Sequence, residues 1–449
     1  MSTRSSTAKA VRPAPIARRA GPAYGTSYWL DRVGRRPAPA TRLAGDLETD
    51  VVVVGGGLTG SLTACLFARA GVPVVLLEAA RFGDRAALDA GWLLETPGVG
   101  FLELQAALGL KDARRAYEAS RKAALDVAAF LRRLGPKLAP EPRESLVIAA
   151  TPADAAALER ERAGRAAAGL DAAWLPARRA ATESGADLVR GALKTRSEGM
   201  VDPWQTARAL VDAATSAGAR LFEQSAATRV RHTRTGAEVV TAKGVVRAKA
   251  VVLATGAPRP LVAALQRHVR VDHTYVVVTE ELPAAVRRAV PADAVVRGVG
   301  APLVAALTRG GRVVIQGGDQ PPVPARLADQ ALIQRTGQLM YEWSLRHPAV
   351  SGIQPAYAWT ALRVTGRDGL PVAGAHRNFP HHLFALGLGA TGLAGAWLAA
   401  RIVLRQYQGE PEPSDAIFGF GRLSAAPAPS TWTMVDHRGR PAAALLSTP

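Results

Sequence analysis

Gly55, Gly57 and Gly60, followed at the end of the next apolar stretch by Glu78, are the residues whose types and spacing imply chemistry most directly. Glycines in G-x-G-x-x-G spacing let a backbone turn tightly, approach a pyrophosphate and pack a helix against a strand. A carboxylate about 20 residues further on is placed to bond ribose hydroxyls and to repel a 2′-phosphate. The chemistry implied is the grip on a dinucleotide other than NADP.

That grip needs a strand before the glycines and a helix after them. Asp50 leads into four consecutive valines, Val51–Val54, the pattern of a strand buried on both faces. Leu58–Ala70 carries no proline and suits a helix whose first amides face the phosphates. Pro73–Leu77 reads as the second strand, ending on Glu78.

The chain has 449 residues, 48% of them apolar, enough to bury a large core and to divide into two or more domains. The uncharged runs Val51–Ala68 and Leu383–Ala400 reach the ~18 residues at which a spanning helix is suspected. Both are glycine-rich, and the first is the strand, turn and helix just described, so no transmembrane segment is expected. One cysteine, Cys65, excludes an intramolecular disulfide and a multi-cysteine zinc site, and the expected compartment is the cytoplasm. A formal charge of +19 raises nucleic-acid binding. The arginines are scattered among alanines, however, and no aromatic-interleaved basic motif occurs, so nucleic acid is not an expected partner. No metal-ligand spacing, paired carboxylates or Ser-His-Asp set appears.

Helical spacing covers Asp112–Leu134 and Pro152–Gly169, and a further helix is expected over Trp204–Ala217. Short strands follow at Ala219–Phe222, Thr228–His232 and Glu238–Thr241, the last two as a hairpin about Thr235-Gly236. The strand Ala250–Ala257 ends in a glycine turn. Strands are expected at Val269–Thr279 and Gly311–Gly318, and the chain returns through Asp368–Gly374 and the strand Leu383–Leu386 to Gly387–Gly392, before a helix over Leu393–Arg405.

In this order, these pieces resemble the D-amino-acid-oxidase-like family of FAD-dependent oxidoreductases over about Ser27–Gln406. The specific matches are Gly55–Gly60 with Glu78, Val251–Ala257, and Arg363–Gly374 followed by Gly387–Gly392; Ser27-Tyr28-Trp29 is similar to the gamma-glutamylputrescine oxidase branch. The fold implied is α/β, a Rossmann-like FAD-binding domain interleaved with a mixed-sheet α+β substrate domain. Its segments would be an N-terminal arm over 1–45, disordered or extended, FAD-binding parts at 46–105, 195–268 and 355–410, substrate parts at 106–194 and 269–354, and a C-terminal extension over 411–449. The activity implied is oxidation of the CH-NH or CH-NH2 bond of a small amine or amino acid by hydride transfer to flavin, giving an imine, with oxygen or an electron carrier as final acceptor.

Cofactor contacts are implied for Gly55, Gly57, Leu58, Thr59, Gly60, Glu78, Ala79, Ala227, Thr255, Gly256, Gly389, Ala390, Thr391 and Gly392. Arg363 stands where relatives carry the arginine that clamps a substrate carboxylate, and a guanidinium fork suits that task. Tyr357, Tyr275 and Trp359 are candidates for the pocket lining, and His273 and His376 for proton acceptance. Leu88 and Ala361 occupy the positions at which some relatives attach flavin covalently, so FAD is expected to be noncovalent. Over Arg85–Trp92, alanine and leucine replace small polar residues of the family, and Val304 stands where a substrate-facing tyrosine is common. Two other readings therefore stay open: a flavin-binding protein with altered or lost catalysis, and a flavin dehydrogenase for a non-amine substrate.

Overall fold

A computed structural model describes residues 21–187, 189–299 and 303–424; the first part of the expected arm and most of the expected C-terminal extension lie outside them. The described chain builds two sheets by passing between them repeatedly. The first has eight strands, in the order Val372–His376, Phe379–Leu386, Val245–Gly256, Leu47–Val54, Val74–Leu77 and Arg220–Phe222, with Ala237–Thr241 and Ala227–His232 continuing from Val245–Gly256. The strands from Phe379–Leu386 to Arg220–Phe222 run parallel, and Val372–His376 closes one edge antiparallel.

The valine run explains itself here. Val51 and Val53 enter a core with the helices Leu58–Arg69, Pro203–Ser216, Gly392–Gln408 and Leu110–Leu134, while Val52 and Val54 enter a second core on the opposite face. Successive strand residues point to opposite faces, so only a strand covered on both sides can be apolar at every position. All four are at most 4% exposed, and burying a side chain of this size stabilises the fold by roughly 1.5–3 kcal/mol. The run Leu383–Ala400 is divided between a strand, a turn and the last long helix, and no helix among the described residues is long and apolar enough to cross a membrane.

The second sheet has ten strands, centred on Pro355–Gly366, Val269–Thr279 and Val313–Gln320 and continuing through Val304–Leu307, Ala294–Gly298, Glu141–Ala149, Gly191–Met200 and Trp92–Leu93. Helix Ala328–Arg346 covers one face, where Leu332, Leu339 and Trp343 meet Tyr275, Val277 and Ile315. The alternate residues Val276, Val278, Val314 and Trp359 pack on the other face against Ala87, Ala90 and Trp92, from the segment that follows Glu78.

Segment boundaries differ from the sequence-based expectation at three places. Residues 92–93, 195–200 and 355–366 pair within the second sheet rather than the first. Of the expected arm, Ala23-Tyr24 pairs in parallel with Tyr357-Ala358, and Tyr28 and Trp29 are buried. Residues 23–30 of the arm thus lie at the edge of the second sheet, held by an apolar cluster with residues 87–94.

Candidate cofactor and substrate site

The glycine turn has the geometry its spacing requires. Gly55 has φ +105°, and a Cβ on it would lie 2.8 Å from the Ala254 carbonyl oxygen; a Cβ on Gly60 would lie 1.6 Å from the Gly55 carbonyl oxygen. Gly57 differs: a Cβ there would meet nothing within 4 Å. Gly55 and Gly60 are therefore demanded by packing, and Gly57 opens onto space beside the backbone. Gly57 is the N-cap of the Leu58–Arg69 helix, no side chain caps that end, and its first turn carries no acid. Its leading amides lack side-chain partners, as an anion-binding helix start requires.

Glu78 is 4% exposed, and its Oε2 accepts from the Gly56 amide at 2.6 Å while Oε1 accepts from the Ala80 amide at 2.8 Å. The carboxylate thus ties the glycine turn to the end of its neighbouring strand, and each oxygen keeps a further lone pair. Ala79 is solvent-facing beside it, and Ala227 opens its strand two residues after Ser225, whose amide donates to the Glu78 carbonyl at 2.8 Å. Thr255 and Gly256 sit at the end of Val245–Gly256, next to Gly55; Gly256 has φ +75° and, like Gly57, would set a Cβ in open space.

The second glycine turn joins the two sheets. The Gly389 amide donates to the Val364 carbonyl at 2.7 Å, Leu388 bridges to Thr365, and Gly392 bridges to Leu93. A Cβ on Gly389 would lie 2.8 Å from the Val364 amide nitrogen and 3.1 Å from Arg363 Cγ, and one on Gly392 would lie 2.2 Å from the Trp92 carbonyl. Ala390 and Thr391 are buried, and Thr391 Oγ1 turns back to the Leu388 carbonyl, so the helix Gly392–Gln408 also starts without a side-chain cap. Two uncapped helix starts and two glycine strand ends converge from the first sheet, and the Arg363 strand of the second sheet meets them.

Arg363 lies on the same face as Trp359 and Ala361, the face turned toward Trp92. Its Nη1 pairs with Asp319 Oδ2 at 3.1 Å, while its Nε, although buried, donates to nothing. Asp319 reaches that face through a β-bulge. His273 opposes Gln320 but Tyr275 opposes Gly317, which inserts one extra residue at Gly318-Asp319, and Gly318 takes φ +66°. Without the insertion, alternation from Ile315 would aim Asp319 at the opposite, helix-covered face. Sequence reasoning missed Asp319, as it missed Gln316, whose Oε1 accepts from Trp92 Nε1 at 2.6 Å.

The aromatic candidates separate. Tyr275 is fully buried on the helix-covered face, its hydroxyl accepting from Gln320 Nε2 at 2.6 Å, so it does not share a face with Arg363. Tyr357 shares that face but lies six residues along the strand, about 20 Å away at ~3.3 Å per residue, where its hydroxyl donates to Asp31 at 2.8 Å. Trp359 lies between them and donates from Nε1 to the Leu88 carbonyl at 3.0 Å. His273 follows Tyr275 in facing away from Arg363, and His376 packs among His268, Phe379 and Phe420 on the first sheet. Burial lowers the basicity of both histidines. The Ala86–Leu88 turn is clamped by Ser27, whose hydroxyl donates to the Ala87 carbonyl, and burial pushes the neighbouring Asp89 carboxyl upward against the lowering effect of a hydrogen bond from the Gly91 amide.

A largely parallel sheet with a glycine cradle at its strand ends, interleaved along the chain with a mixed sheet that meets it at those ends, has the architecture of a dinucleotide-dependent protein. The chain belongs to the FAD dependent oxidoreductase (DAO) family, whose model matches residues 50–406. It is 27% identical over 420 residues to gamma-glutamylputrescine oxidoreductase of Escherichia coli strain K12, covering 91% of this chain and 94% of that one. Among solved structures it is similar to glycine oxidase from Geobacillus kaustophilus (TM-score 0.70, 20% identity, 85% of this chain and 99% of that chain). It is also similar to L-amino acid deaminase from Proteus vulgaris (TM-score 0.70, 15% identity, 86% and 99%). The protein is an FAD-dependent oxidoreductase, and the open faces of Gly57 and Gly256 with the uncapped Leu58–Arg69 helix fit the pyrophosphate of that cofactor.

Proposed function

We propose that the protein oxidises the CH-NH or CH-NH2 bond of a small amine or amino acid, with noncovalent FAD as the immediate hydride acceptor and oxygen or an electron carrier as the final one. FAD, when bound, supplies the two-electron acceptor, so the protein has to bind, orient and exclude water rather than provide a nucleophile. Glycine oxidase, L-amino acid deaminase and gamma-glutamylputrescine oxidoreductase are all named for nitrogen compounds. The same fold also serves L-alpha-glycerophosphate oxidase of Mycoplasma pneumoniae, so fold alone does not select an amine.

The observation that carries the reading is Arg363, a guanidinium with an unpartnered Nε on the sheet face that meets the Gly387–Gly392 turn. Gly55, Gly57 and Gly60 would hold the pyrophosphate, and Gly389 to Gly392 would offer amides to the flavin ring. Noncovalent attachment is supported by Leu88 and Ala361 at the linking positions and by the burial of Cys65, whose thiol is pushed up to about 11 by desolvation. Arg363→Leu should keep its flavin and lose at least tenfold in kcat/KM on carboxylated amines. Unchanged kinetics on such a substrate would remove Arg363 from the site.

A further inference from the structure

Three buried polar atoms without a partner gather on one face of the second sheet: Arg363 Nε, Asp319 Oδ1 and Thr274 Oγ1. Thr274 is 1% exposed and precedes Val276 by two residues, which puts it on the face turned toward Trp92. It opposes Ala361 on one neighbouring strand and the Gly318-Asp319 bulge on the other. Asp319 pairs with Arg363 at 3.1 Å, and the two side chains are only 13% and 21% exposed. Buried polar groups are normally satisfied, and a cluster of exceptions calls for a cause.

The unused valences are complementary. Arg363 gives Nη1 to Asp319 and leaves its Nε edge, one of the edges from which a guanidinium grips a carboxylate. Asp319 Oδ1 can only accept when ionised, and Thr274 Oγ1 can accept as well. The pair is electrically neutral as a unit, so a lone carboxylate at Arg363 would meet the Asp319 charge, whereas a ligand carrying both charges would satisfy both residues. We infer that Asp319 is a specificity-determining residue: with Thr274 it binds the ammonium of a zwitterionic α-amino acid head group whose carboxylate lies on Arg363.

This assignment rests on the proposed amine-oxidising function and names its substrate class. The bulge supports it independently, because the inserted residue turns Asp319 from the helix-covered face onto the Arg363 face, and bulges of this kind re-aim side chains beside active sites. Gln320, the next residue, is correspondingly turned to the opposite side, where it bonds Tyr275 and Arg335.

The test compares two ligands that cannot be oxidised, since the carbon next to the carboxylate bears no hydrogen: α-aminoisobutyrate, a zwitterion, and pivalate, which lacks the ammonium. Binding to the flavin-loaded protein is read by calorimetry. Wild type should bind α-aminoisobutyrate roughly 10–100-fold more tightly than pivalate, the range of one charge-assisted hydrogen bond. Asp319→Asn should erase that preference, and Asp319→Glu should restore part of it at equal flavin content. Equal affinity for the two ligands in wild type, or an unchanged ratio in Asp319→Asn, overturns the inference. If Asp319→Asn fails to fold, Thr274→Val carries the same comparison and should lower the ratio several-fold, with an unchanged ratio counting against the assignment. Selective binding without reduction of flavin by any amine would refute the proposed function while leaving the head-group site; reduction by amines without selectivity would refute the head-group site alone.

Discussion

Gly57→Val and Gly60→Ala separate the two jobs of the glycine turn. A Cβ on Gly57 meets no atom within 4 Å, and its φ of −71° suits any residue. Valine at this N-cap should therefore alter folding stability by no more than about 1 kcal/mol. The valine methyls would stand where the pyrophosphate approaches. Losing two charge-assisted hydrogen bonds to phosphate, each about 1.5–3 kcal/mol, predicts about 3–6 kcal/mol less binding energy, or roughly a hundred- to ten-thousand-fold weaker FAD affinity. Gly60→Ala behaves oppositely. Its methyl would lie 1.6 Å from the Gly55 carbonyl oxygen, so the helix must withdraw by more than an ångström, at a cost to the fold of about 1–3 kcal/mol or more. Fluorescence titration of the apoprotein with FAD, beside urea unfolding of the same samples, reads both quantities. Normal FAD affinity in Gly57→Val, or an equal loss of fold stability in the two variants, would refute the assignment of that open face to the cofactor.

Three further perturbations follow from the same physics. Glu78→Gln leaves one acceptor oxygen where two amides, those of Gly56 and Ala80, now donate; a loss of about 1–3 kcal/mol in unfolding free energy with weaker FAD binding is expected, measured by urea denaturation and flavin titration. Arg422 bonds Asp368 at 2.6 and 3.1 Å and the Pro371 carbonyl at 2.8 Å, with the side chains 5% and 3% exposed. Removing it as Arg422→Ala strands a buried carboxylate, and chemical denaturation should show a loss of about 3–5 kcal/mol. Burial holds the His347 imidazole down at about 4, where it stacks on Trp343 and contacts the Ser184 carbonyl. The unfolded chain takes up a proton near the ordinary value and the folded chain does not, so stability is full above that value and falls as pH drops toward 4, by about 3 kcal/mol. His347→Gln should flatten that part of the profile.

What could be read from the chain alone was local. The cofactor cradle is legible because strand, glycines and helix are consecutive, and four valines in a row admit only a doubly covered strand. The substrate face is not, because it assembles three strands, Pro355–Gly366, Val269–Thr279 and Val313–Gln320, through pairing between distant segments. Tyr275 shows the difficulty: in the apolar run Tyr275–Val278 both faces are buried, so nothing in the pattern tells which side the ring takes. Asp319 is harder still, since one bulge residue reverses the alternation that would otherwise place it. Ser27-Tyr28-Trp29 carried a recognisable signal, yet only packing shows that it clamps the Ala86–Leu88 turn.

The most direct test of amine oxidation is an anaerobic titration of the flavin-loaded protein with amino acids, sarcosine and polyamines, followed by absorbance. The account predicts that the oxidised flavin bands bleach with a compound bearing an α-amino acid head group. Protein that binds FAD and keeps those bands unchanged with every amine in the panel would contradict it.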